Sequence, residues 1–235
     1  MSKKIGIFVG GILLAFMIVA CVLIANSSNG ANFSFAMMAD RVMAKDFTGY
    51  DVDTIIPASN DSGGLPEKIE GDQNAPVILY EYADYSCSHC AELNLIINKI
   101  VEDYNGKVAV VFRNYLISYF KNNVITASAA TAASIQGYWQ PYKDLLFENQ
   151  STWYSMSGTE LRDYLKDLFK QASDGQGNVS KFYQDMNSEK VAERVAFEFG
   201  LGAQIEDLSG TPHFRINGKQ VSASDLRTTI DELLK

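Results

Sequence analysis

Two cysteines separated by two residues, in Cys87-Ser88-His89-Cys90, are the feature of this chain whose types and spacing most directly suggest chemistry. The third cysteine, Cys21, lies in an apolar run near the N-terminus, so there are too few cysteines, too closely placed, for a disulfide framework. A C-x-x-C pair can be a redox couple, an ordinary structural disulfide or half of a zinc site. Zinc takes four ligands, and the chain offers two histidines, His89 and His213, and no second cysteine pair. The flanks favour redox chemistry. Val77 to Tyr82 is an apolar run suited to a buried strand, and Leu93, Ile96, Ile97, Ile100, Val101 and Tyr104 recur at helical spacing. The pair therefore falls where a strand ends and a helix begins. A helix N-terminus presents unpaired N–H groups and the positive end of its dipole, which lower a thiol pKa from its usual ~8.5. Cys87 is then the nucleophile, with its sulfur partly exposed, and Cys90, one turn inward on the same side, is the resolving thiol. His89 can donate to the Cys87 thiolate or place charge near it.

The elements that must position this pair follow from pattern. Asn105-Gly106 stops the helix, and Val108 to Arg113 reads as a second buried strand, giving a right-handed βαβ unit. From 122 to 209 the signals are mainly helical: an Ala-rich stretch at 127–135, a face of Leu161, Leu165, Leu168, Phe169 and Ala172, and another of Val191, Ala192, Val195, Ala196 and Phe199, with Ser188 as N-cap and Gly200 and Gly202 as stops. The end returns to strands. His213 to Ile216, Asn217-Gly218 and Lys219 to Val221 form a hairpin about a two-residue turn. A last helix starts near Ser224, with Leu226, Ile230 and Leu233 on one side.

Ahead of the body, Ile5 to Ala25 is 21 residues without a charge, and about 20 apolar residues cross a bilayer. Lys3 and Lys4 precede it, which places the N-terminus in the cytoplasm and the body outside. An uncleaved anchor is the main reading; a cleaved signal peptide and a lipidated Cys21 are the alternatives. Residues 26–65 read as a polar spacer, with a short helix between Phe33 and Phe47 whose face is Phe35, Met38, Ala39, Val42 and Met43. The formal net charge is -8 with no basic stripe, which argues against nucleic-acid binding.

Tyr80-Glu81-Tyr82-Ala83-Asp84-Tyr85-Ser86-Cys87-Ser88-His89-Cys90, together with Ser209-Gly210-Thr211-Pro212-His213-Phe214 and Asn217-Gly218-Lys219, resembles the DsbA-like thiol oxidoreductases. The resemblance covers roughly residues 66–235. It implies an α/β, thioredoxin-like fold split as 66–121 and 210–235 around an all-helical insertion at 122–209. It implies that Cys87 attacks and Cys90 is its buried partner. It further implies that Glu81 is an acid beneath the site assisting proton transfer, and that Thr211-Pro212 is a cis-proline loop whose Thr211 backbone pairs with an extended substrate. No metal or organic cofactor is implied. The implied activity is oxidation of reduced or unfolded secreted proteins outside the cytoplasm, with reoxidation by a quinone-linked membrane partner, DsbB-like or VKOR-like. A reductase or isomerase on the same scaffold and a redox-inert binding module are the rivals. Ser88 departs from the proline frequent after the first cysteine, which leaves the oxidising strength open. His213, after the proline, can face the site or the sheet.

Overall fold

The computed structural model describes residues 34–235. The apolar run Ile5–Ala25 and Cys21 lie outside that range. Among the described residues no helix is long and apolar enough to cross a membrane.

A helix α1 (Phe35–Met43) precedes β1 (Lys68–Glu70), β2 (Val77–Ala83), α2 (Ser88–Asp103) and β3 (Val108–Asn114). Six helices follow: α3 (Asn123–Ile135), α4 (Trp139–Glu148), α5 (Gln150–Trp153), α6 (Gly158–Ala172), α7 (Val179–Met186) and α8 (Glu189–Gly202). The chain closes with β4 (His213–Ile216), β5 (Lys219–Val221) and α9 (Leu226–Leu233). The strands form one mixed sheet in the order β1-β3-β2-β4-β5. β2 and β3 run parallel, joined through α2, and the other pairs are antiparallel. This is a thioredoxin-like fold with a helical insertion between β3 and β4.

Alternation along the strands divides the sheet's two faces. Val77, Leu79, Val108, Val110, Phe214 and Ile216 pack with Ile97 and Ile100 of α2 and Leu226 and Ile230 of α9. Tyr80, Tyr82 and Val111 face the other way, onto Ile205, Leu208 and the 52–55 segment. The hairpin turns at Asn217 and Gly218, both with left-handed φ (49° and 78°), as a type I′ turn requires. The insertion supplies a second core of alanines and aromatics, and both cysteines abut it.

Three expectations need correction. On α2 the buried residues are Cys90, Asn94, Ile97 and Ile100, whereas Ile96 is exposed; a polar seam replaces part of the apolar face. Secondly, the segment read as a spacer packs onto the body over its described part, 34–65. α1 begins at Ser34, whose side chain accepts the Met37 N–H, and buries Met38 and Ala39. Phe35 meets Phe199 edge-on, and Phe47 packs on Phe197. Arg113 donates to the Thr54 carbonyl at 2.7 Å, and Arg215 forms a two-pronged pair with Asp53. Thirdly, Gly200 does not stop α8 but makes room, while Gly202 is its last residue. A Cβ on Gly200 would come within 2.1 Å of the Phe47 ring. Beyond α1, the apolar residues Phe47, Tyr50, Val52, Ile55 and Ile56 stand among polar ones without a regular period.

Candidate active site

β2 runs through Glu81 to Ala83 and turns at Asp84-Tyr85-Ser86 into Cys87, the N-cap of α2. Asp84, fully buried, builds the turn. Its carboxylate accepts the N–H groups of Ser86 (2.9 Å) and Ile117 (2.8 Å) and the Asn123 amide (3.4 Å), while its carbonyl accepts the Cys87 N–H. Burial pushes its pKa up to about 7 against the pull of these donors. The Ser86 hydroxyl donates to the Lys121 carbonyl at 2.7 Å. Gln150, at the head of α5, donates to the carbonyls of Tyr85 (2.7 Å) and Cys87 (3.0 Å). Sequence reasoning singled out neither Asp84 nor Gln150. A signal existed for Asp84, an acid three residues before Cys87 poised for an Asx turn; none existed for Gln150.

The two sulfurs differ in character. Cys87 is 3% exposed, more buried than a helix-end thiol was expected to be, and Cys90 is 0% exposed. Both are free thiols in this structure. The Cys87 pKa is lowered to about 5: the hydrogen bond from the Cys90 thiol contributes most, burial opposes it, and Thr211 and the N–H groups of Cys90 and His89 add to it. Cys90 is pushed well above its ordinary value by burial, then by its bond to Cys87 and that sulfur's charge.

The peptide Thr211-Pro212 is cis. It places the Thr211 carbonyl 3.2 Å from the Cys87 sulfur, where the neutral thiol donates to it. The buried Thr211 hydroxyl has no other partner, which leaves it to donate to the Cys87 thiolate. Glu81 is 3% exposed and shares the α2 face of the sheet with its register partners Phe112 and Phe214. Burial pushes its pKa up to about 7; the Lys143 ammonium pulls the other way, and Glu70 adds to the rise. Lys143 comes from the insertion, bonded to Glu70 and Asn98 at 2.7 Å each.

The structure thus brings Cys87, Cys90, Thr211, Pro212 and Glu81 together. Ser88 and His89 are exposed on the first turn, and the contribution of His89 is its backbone N–H rather than its ring. His213 pairs with Tyr82 on the opposite face of the sheet, T-shaped against the Tyr82 ring and 3.8 Å from Asp207, so it faces away from the cysteines. Among the described residues no cluster of three or more His, Cys, Asp and Glu side chains is placed to hold a metal ion. Two surface cavities of about 510 and 540 Å³ border the 50–58 segment, and neither touches the cysteines.

A C-x-x-C pair at the head of the first helix of a thioredoxin fold, with unequal thiols facing a cis-proline loop, defines a thiol–disulfide oxidoreductase. A family profile described as thioredoxin matches residues 66–235, and the chain belongs to that family. The fold is similar to oxidised BdbD from Bacillus subtilis, with a TM-score of 0.63 at 22% identity, covering 77% of this chain and 98% of that one. It is also similar to DsbA of Chlamydia trachomatis (TM-score 0.61, 16% identity, 71% and 90% covered). A third likeness is alpha-DsbA1 of Wolbachia pipientis (0.57, 21%, 74% and 96%). Among curated proteins, the chain is 28% identical over 170 residues to Na(+)/H(+) antiporter NhaA 3 of Salinispora tropica, covering 72% of this chain and 24% of the antiporter. The chain spans about a quarter of the length of the curated relatives it matches.

Proposed function

We propose that the protein is an extracytoplasmic oxidase that introduces disulfides into secreted proteins through the Cys87–Cys90 couple. The observation that carries this reading is the inequality of the thiols. Cys87 is held as a thiolate at neutral pH while Cys90 is not. Stabilising the thiolate stabilises the reduced enzyme, and that makes the oxidised enzyme a stronger oxidant.

The cycle starts from the Cys87–Cys90 disulfide. A substrate thiolate attacks the Cys87 sulfur, and the bond's electron pair leaves on Cys90, which takes up a proton. A second substrate thiolate attacks the substrate sulfur of the mixed disulfide and expels Cys87 as the thiolate. Two substrate thiols become one disulfide; the enzyme gains two electrons and one proton, on Cys90, and the second proton goes to solvent. Glu81, able to hold or release a proton near neutrality, serves Cys90 in both directions. The Thr211 backbone aligns the extended substrate by strand-like pairing. A quinone-linked membrane protein, DsbB-like or VKOR-like, removes the electrons, and Ile5–Ala25 tethers the enzyme beside it.

Equilibrating the couple with glutathione tests the direction. An oxidase gives a potential near or above those of the oxidising members of the fold, roughly -120 to -180 mV; a thioredoxin-like value near -270 mV makes the protein a reductase. A redox-inert binding module predicts that Cys90→Ser recovers no mixed disulfides from cells, whereas the oxidase accumulates them on Cys87.

A further inference from the structure

Gln150 lies 63 residues from Cys87 in sequence, in a different subdomain. Its side-chain nitrogen carries two hydrogens, and the two distances match one bond to each of two carbonyls, Tyr85 at 2.7 Å and Cys87 at 3.0 Å. The Cys87 carbonyl also takes the Ala91 N–H at 3.2 Å, the first bond of α2. Gln150 therefore fixes the Tyr85–Ser86 and Cys87–Ser88 peptide planes, one on each side of the Ser86–Cys87 unit. Those planes decide where the turn ends and where the first-turn N–H groups point. The same amide offsets two carbonyl dipoles beside the sulfur, and in a partly desolvated site an unopposed carbonyl oxygen disfavours a neighbouring thiolate.

The insertion is itself bonded to the loop that flanks the turn. Asn122, with φ of 63°, donates to the carbonyls of Trp153, Tyr154 and Met156 at 3.1–3.3 Å. Its neighbour Lys121 accepts the Ser86 hydroxyl. Three segments, 84–87, 121–122 and 150–156, close a ring of side-chain-to-backbone bonds around Cys87. We propose that Gln150 is a positioning residue through which the helical insertion holds the Cys87 turn and sets the oxidising strength of the Cys87–Cys90 couple. This rests on the reading of Cys87 as the nucleophile.

The test is a charge series at a half-buried position that can accommodate charge: Gln150→Leu, Gln150→Glu and Gln150→Lys in the full chain. The Cys87 pKa is read from the ultraviolet absorbance of the thiolate, and the couple is equilibrated with glutathione. Leu removes the donors and raises the Cys87 pKa by about one unit, making the couple about tenfold less oxidising at neutral pH. Glu raises the pKa further. Lys, which keeps donors and adds positive charge, returns it to or below the starting value. A purely structural role shifts all three variants alike, so equal shifts, or none, overturn the proposal. If Leu does not fold, the comparison of Glu with Lys decides, and no gap between them overturns it. An ordinary Cys87 pKa in the unmodified protein sinks the oxidase reading instead.

Discussion

At the scale of single residues, the site depends on burying groups that water would ionise differently. Glu81 shows the consequence. Its pKa is about 7 in the fold against 4.5 in an unfolded chain, so between those values the native state holds a proton that the unfolded state has released. Stability from this group is fully present below pH 4.5 and is lost as pH rises toward 7. Glu81→Gln removes that loss. Urea unfolding should show the variant equal to the parent near pH 4 and more stable at pH 8, by on the order of 3 kcal/mol. A parent whose advantage over the variant grows with pH would contradict this burial. The same variant slows proton uptake at Cys90, which is measured as slower formation of the mixed disulfide from the oxidised enzyme.

At the scale of elements, the segment from Ser34 to Leu65 behaves as part of the domain. Gly200 is the seat of Phe47, and the helix backbone beneath it cannot retreat. Gly200→Ala forces the Phe47 ring out and should cost about 1–3 kcal/mol by overpacking. Adding Phe47→Ala to Gly200→Ala should cost less than the sum of the two single changes, a coupling that a urea-unfolding double-mutant cycle measures directly. The packing of this segment was hard to read in the sequence, and the neighbouring β1 shows why most sharply. Lys68 and Glu70, two charged residues of a three-residue strand, are both buried. They are neutralised by Glu198, 130 residues away, and by Lys143, 73 residues away. Local pattern cannot see such partners, so this three-residue edge strand carried no strand signal. β2, α2, β3 and the Asn217-Gly218 hairpin were legible because their signals are local: apolar runs, helical spacing and a turn with one backbone solution. Within the site, Cys87 and Cys90 were legible from their spacing together with the strand and helix that flank them. Thr211-Pro212 and Glu81 stood out only by resemblance, and Gln150 had no sequence signature because its role is set by where α5 lands.

For the molecule as a whole, the redox state and stability are one linked quantity. The Cys87 thiol titrates at about 5 in the fold and near 9 when unfolded. Across that window the unfolded reduced chain holds a proton that the native reduced protein has given up. Stability of the reduced form therefore rises with pH between those values and is lost as pH falls through about 5. The oxidised form has no such thiol, and Glu81 and Asp84 act on both forms. The stability gap between reduced and oxidised protein should widen in favour of the reduced form with a slope approaching 1.4 kcal/mol per pH unit, about one proton's worth. Paired unfolding curves from pH 5 to 8 measure it, and a gap independent of pH would mean that Cys87 is not a thiolate in the folded protein.

The pairing of a nearly enclosed Cys87 with a fully enclosed Cys90 has a further chemical consequence. A low-pKa sulfur is the one that peroxide attacks first, and most such thiols risk advancing from sulfenic to irreversible sulfinic acid. Here the Cys90 thiol already bonds to Cys87. A sulfenic acid formed on Cys87 condenses with it, losing water and closing the same disulfide the cycle uses. Oxidant damage at this position is thereby diverted into a reversible disulfide.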